Sequence, residues 1–132
     1  MTTAVEKRIL IVDDDRDYAD VIASFLEANG FAVFQAHDGE EGVRLAKAQQ
    51  PDLILMDIMM NERNEGFDAI REIRRDPQLK RVPIFVISAF CTHLPDIGMP
   101  EGGWLAHDVF LSKPVDTVHL LDKVRRWVGM AA

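Results

Sequence analysis

The chain has a single cysteine, Cys91, so no internal disulfide can brace it, and the thiol reads as a small apolar residue rather than a reactive one. It lacks any apolar run near the roughly 20 residues that a membrane-spanning helix needs. Residues 1 to 8 lack the apolar core of a secretory leader. A soluble, cytoplasmic protein with no membrane contact is the expectation. Positive charge is also scarce: 15 Lys and Arg stand against 22 Asp and Glu, a net charge of −7. That balance argues against direct nucleic-acid binding, which draws its affinity from clustered cations. The two basic groups, Arg71, Arg74, Arg75 and Lys123, Arg125, Arg126, fall among acids on expected helices and read as solvated faces. Finally, no Gly-rich or Ser/Thr-rich loop follows the first apolar run, so a backbone cradle for a nucleotide or flavin phosphate is missing.

What the chain does have is 132 residues with 48% hydrophobic content, enough for one compact domain over 1–132 with a core from about 7 to 130. Short apolar runs at about 8–13, 31–36, 52–57, 83–88 and 108–112 are rich in Val, Ile, Leu and Phe. They alternate with segments of helical period, the pattern of a parallel sheet covered by helices on both faces, hence an α/β fold with a doubly wound sheet. The first helix, about 16–29, carries Tyr18, Val21, Ile22, Phe25 and Leu26 and stops at Asn29-Gly30. The second, about 39–49, opens at Asp38 with Glu41 three residues on, and ends before Pro51. The third, about 67–75, carries Phe67, Ile70 and Ile73, and the last, about 116–129, starts at Asp116 and carries Val118, Leu121, Val124 and Val128. Between the fourth and fifth strands, Pro95, Gly98, Pro100, Gly102 and Gly103 predict a helix that is short or disrupted.

Chemistry concentrates where strands end. Ile9-Leu10-Ile11-Val12 runs into Asp13-Asp14-Asp15, and Leu53-Ile54-Leu55-Met56 runs into Asp57. In a doubly wound sheet these carboxyl ends line one crevice. Gathered carboxylates repel and resist desolvation, so a hard cation such as Mg²⁺ is implied before any phosphate. Two further strand ends bring Ser88 and the Ser112-Lys113-Pro114 segment to the same edge. An acid to receive a phosphoryl group, a cation site, a hydroxyl and an ammonium together suffice for phosphoryl transfer. Asp15 reads as a helix cap, and the four histidines, at 37, 93, 107 and 119, lack metal-site spacing and are expected at the surface.

Ile-Leu-Ile-Val-Asp-Asp-Asp, Asp-Leu-Ile-Leu-Met-Asp, Val-Ile-Ser-Ala and Leu-Ser-Lys-Pro, in that order, resemble the motifs of two-component response-regulator receiver domains, the CheY-like family. The resemblance implies a flavodoxin-like (βα)5 fold with strand order 2-1-3-4-5. It implies Asp57 as phosphoacceptor, and Mg²⁺ or Mn²⁺ held by Asp13, Asp14, Asp57 and the Met59 backbone carbonyl. Ser88 and Lys113 then contact the phosphoryl group, Phe110 follows Ser88 in the switch, and Lys113-Pro114 is a candidate cis peptide. The implied partners are a sensor histidine kinase or phosphotransfer protein and an unidentified downstream protein, with the domain a monomer or weak dimer and not a turnover enzyme.

Three stretches depart from the pattern. Met59 to Gly66 is a longer polar loop, with Glu62 and Glu65 able to approach the crevice. Phe90 after Ser88-Ala89 predicts a shielded acyl phosphate and slow autodephosphorylation. Segment 91–107 carries Leu94, Ile97, Met99 and Trp104, expected to fold back as a plug, the alternative being a partner-binding patch that works without phosphorylation. Since the chain ends directly after the last expected helix, no output domain is expected within it, whether it stands alone or was excised from a longer protein.

Overall fold

The computed structural model describes residues 7–58, 65–88 and 109–130. Its elements run β1 (Arg8–Val12), α1 (Arg16–Ala28), β2 (Ala32–Ala36), α2 (Gly39–Gln49), β3 (Leu53–Asp57), α3 (Glu65–Arg75), β4 (Ile84–Ser88), β5 (Val109–Ser112) and α4 (Thr117–Met130). All five strands are parallel, in the order β2-β1-β3-β4-β5. That is the expected doubly wound α/β sheet, with its reversal of strand order beside β1.

Because side chains alternate across a strand, the sheet sorts its residues into two cores. Leu10, Val12, Ile54, Met56, Ile84 and Val86 pack beneath α2 and α3 with Ala46, Phe67, Ile70 and Ile73. Ile9, Ile11, Leu53, Leu55, Phe85 and Leu111 pack beneath α1 and α4 with Ile22, Leu26, Leu120 and Val124. The same alternation carries Asp13, Asp57 and Lys113, each two residues beyond a member of the second group, out on the α1/α4 side of the sheet edge.

Helix ends follow local chemistry. The Asp15 carboxylate accepts from the Tyr18 N–H at 3.0 Å and starts α1, so the third acid of the triplet is a cap as expected. Asp38 accepts from the Glu41 N–H at 2.7 Å, while the Glu41 carboxylate reaches back to the His37 N–H at 2.8 Å. Asp116 accepts from Val118 and His119 at the start of α4. The α1 stop at Asn29 is followed by Gly30 at φ +95°, a left-handed conformation that glycine adopts without steric cost.

Three readings are corrected. The stripe of α1 centres on Ala19, Ile22, Ala23 and Leu26, leaving Val21 61% exposed. That of α4 follows Leu120, Val124 and Val128, spaced by four, while Val118, about 160° around the helix from Leu120, is 74% exposed. α3 begins at Glu65 rather than 67, so Gly66 belongs to a helix and not to a loop. There it lies against the end of β3: a Cβ at Gly66 would stand 2.4 Å from the Ile58 Cα and 2.7 Å from the Asp57 carbonyl oxygen. Four helices are found among the described residues; the disrupted one expected near 91–107, with Leu94, Ile97, Met99 and Trp104, lies outside them.

Candidate functional site

Asp13 follows the last residue of β1 and continues its ladder, its N–H bonding the Ala36 carbonyl at 3.0 Å. Asp57 is the last residue of β3, opposite Ile87 of β4, and its neighbour Ile58 is fully buried. Both residues are only 4% exposed. With half-buried Asp14 they form a group in which one carboxylate oxygen from each lies within 4.8 Å of the others. Strand geometry thus brings together acids 44 residues apart in the chain, as the strand-end reading expects.

Lys113, directly after β5, extends into this group. Its ammonium lies 2.8 Å from Asp13 Oδ2 and 3.2 Å from Asp57 Oδ2. Burial pulls the lysine pKa down, but the hydrogen bond it donates to Asp13 and the charges of Asp57 and Asp13 outweigh it, and Lys113 titrates above its ordinary value. The ammonium is therefore fully charged at neutral pH. The Lys113-Pro114 peptide is cis, as expected.

Every polar group of Asp13 is engaged. Beyond its N–H and the lysine contact, Oδ1 accepts from the Asp15 N–H at 2.9 Å and its carbonyl lies 3.2 Å from His37 Nδ1. A carbonyl only accepts, so Nδ1 is the donor. His37 is half-buried beside the site and not at the free surface where the sequence put it, whereas His119 is exposed. The register explains this: Val12 pairs with Ala36, so the next residues, Asp13 and His37, leave their strands side by side.

Tyr18 is a second participant that sequence reasoning missed, having read it as part of an apolar stripe. Its hydroxyl accepts from the Val115 N–H at 3.0 Å, and its ring centroid lies 4.6 Å from the Lys113 ammonium. The available signal was an aromatic with a polar tip one turn into the helix that opens at the acid triplet.

Other expected participants are only partly described. Ser88 is the last residue of β4, paired with Ser112, and Phe110 lies within β5. The side-chain roles expected of Ser88 and Phe110 lie outside what is described, as do the Met59 carbonyl, Glu62, Phe90 and the side chain of Glu65. The basic residues read as solvated are mostly that: Arg71 pairs with Asp68, Arg75 with Glu72 and Arg126 with Asp122 on their own helices. Arg74 departs from this, donating to the carbonyls of Leu79, Lys80 and Val82 and closing the turn after α3. No helix among the described residues is long and apolar enough to cross a membrane.

A family model for the response regulator receiver domain matches residues 9–125. The chain is 37% identical over 119 residues to the DNA-binding dual master transcriptional regulator RpaA of Synechocystis sp., a match covering 89% of this chain and 47% of that protein. It therefore spans about half the length of that relative. Protein PilH of Pseudomonas aeruginosa is 35% identical over 117 residues, covering 89% of this chain and 93% of PilH. Among solved structures, the receiver domain of sensor histidine kinase PA1611 from Pseudomonas aeruginosa, with a magnesium ion coordinated in its active site cleft, matches at TM-score 0.80 and 33% identity, over 95% of this chain and 99% of that one.

Proposed function

The chain belongs to the response regulator receiver family, and on that footing we propose that Asp57 is the phosphoacceptor of a Mg²⁺-dependent switch. Receivers are signalling domains of two-component systems rather than turnover enzymes. The observation that carries the reading is the buried Asp57 carboxylate at the end of β3, 3.2 Å from a charged lysine and grouped with two further acids.

The donor set fits a hard divalent cation, since three clustered carboxylates repel one another and offer only oxygen ligands. Asp13, Asp14 and Asp57 would hold it, with the Met59 carbonyl as a further ligand. When bound, Mg²⁺ or Mn²⁺ neutralises charge on the phosphoryl oxygens. An Asp57 carboxylate oxygen attacks phosphorus in line. The P–N bond of a phosphohistidine donor breaks, its electron pair returns to the imidazole nitrogen, and an acyl phosphate remains on Asp57. Lys113, already aimed at Asp57, meets the negative charge on the transferred group, and Ser88 supplies a hydroxyl to it. Burial limits water at the acyl phosphate. The donor is a sensor histidine kinase or a phosphotransfer protein, and the product acts by changing how a downstream protein binds.

The test is incubation with Mg²⁺ and acetyl phosphate, followed by intact mass, for the wild type and Asp57→Ala. A phosphoryl adduct is expected on the wild type, absent in the variant and in EDTA. An adduct that persists in Asp57→Ala, or none in the wild type, removes Asp57 from this role.

A further inference from the structure

We infer that Tyr18 is the positioning residue for Lys113, its ring face holding the ammonium in the crevice while the carboxylate partners change state; this rests on Asp57 being the phosphoacceptor. Two independent contacts tie Tyr18 to the segment after β5. The ammonium of Lys113 lies 4.6 Å from the ring centroid, within the range where the negative face of an aromatic ring attracts a cation. The hydroxyl accepts from the Val115 N–H at 3.0 Å, two residues beyond Lys113, bracing the backbone just past the lysine against α1.

Among the described residues Lys113 has three partners, and they differ in how constant they are. Asp13 and Asp57 belong to the acidic group that would hold a divalent cation, and Asp57 is also the proposed acceptor. As the site loads, the charge each offers to the ammonium is shared with other cations or spread over a phosphoryl group. The ring of Tyr18 takes part in neither change. Its attraction for the ammonium is the same in the empty, metal-loaded and phosphorylated site, so it keeps the lysine from leaving for water when its ionic partners are engaged. The ring does this, whereas the hydroxyl only braces the backbone. The two contributions are therefore separable by substitution.

Tyr18→Phe keeps the ring and loses the hydroxyl; Tyr18→Leu loses both. In metal-free protein labelled at lysine Cε, the Lys113 methylene resonances, assigned by their loss in Lys113→Arg, should be shifted upfield by the ring in the wild type and Tyr18→Phe, and not in Tyr18→Leu. With Mg²⁺ and acetyl phosphate, where attack by Asp57 breaks the P–O bond and releases acetate, Tyr18→Phe should be phosphorylated within about twofold of the wild type despite lower thermal stability. Tyr18→Leu should be slower by about threefold to tenfold, the range of an exposed to partly buried cation–ring contact. Mg²⁺ affinity by calorimetry should not weaken in Tyr18→Leu, because the acids are intact. A Tyr18→Leu variant as fast as the wild type overturns the inference, as does equal slowing in Tyr18→Phe. A parallel loss of Mg²⁺ affinity would mean that Tyr18 merely holds α1 and its acids in place, and also overturns it. If the wild type shows no Asp57-dependent adduct, the phosphoacceptor reading fails and this inference falls with it.

Discussion

Lys113 shows how one side chain can be set by groups that are far apart in sequence. Two carboxylates and a ring surround its ammonium; burial lowers its pKa, the two carboxylates raise it by more, and it ends above the ordinary lysine value. A lysine whose pKa rises on folding contributes stability that is fully present below its unfolded pKa, near 10.4, and is lost as pH climbs through the folded value. In EDTA, urea unfolding should therefore show the wild type more stable than Lys113→Met, by on the order of 2 kcal/mol. That difference should stay flat from pH 7 to pH 9 and shrink above the ordinary lysine range. A difference that grows with pH would mean the lysine is held against its charge. Asp13, Asp14, Asp57 and Lys113 were legible in the sequence because each is a charged residue ending an apolar run, where burial demands a reason. Tyr18 and His37 were not. Their partners, Val115, Lys113 and the Asp13 carbonyl, lie 97, 95 and 24 positions away, and neither residue type is out of place on a helix or in a turn.

At the scale of elements, caps and strand ends were readable because they depend on neighbours within four residues: Asp15, Asp38, Asp116 and Gly30 do what their local chemistry dictates. The orientation of a helix about its own axis is set by what it packs on, so an apolar residue such as Val21 or Val118 can be counted into a stripe and still face water. The start of α3 was misplaced for a related reason. Gly66 resembles a loop glycine in sequence, yet it is the point at which a helix comes within contact distance of the β3 backbone. The atoms it would meet, the Ile58 Cα and the Asp57 carbonyl oxygen, belong to main chain and cannot rotate away. Gly66→Ala should force the first turn of α3 off the end of β3, lowering stability by about 1–3 kcal/mol. Because that backbone carries Asp57, the variant should also slow phosphorylation by acetyl phosphate. Unchanged melting and unchanged rate would show that α3 shifts freely at this end.

For the molecule as a whole, a net charge of −7 and three acids gathered at one edge mean that the site is built against the stability of the fold. The Asp13 and Asp57 carboxylates both contact Lys113. Asp14, half-buried beside them, adds a third negative charge to the group. Removing that charge should relieve repulsion, so Asp14→Asn should melt no lower than the wild type in EDTA, and up to about 1 kcal/mol more stably. The same change removes an oxygen ligand from the cation group. Ligand binding to the folded state alone stabilises by RT ln(1 + [L]/Kd), about 2.7 kcal/mol at a hundredfold excess over Kd, a rise in Tm on the order of 10 °C for a chain of this size. Titration with Mg²⁺ should thus raise the wild-type Tm by that order and leave Asp14→Asn nearly unmoved. The two variants would then cross: Asp14→Asn the more stable without metal, the wild type the more stable with it. A wild-type Tm indifferent to Mg²⁺ would remove the cation from this group, and an Asp14→Asn variant that still responds fully would remove Asp14 from its ligands.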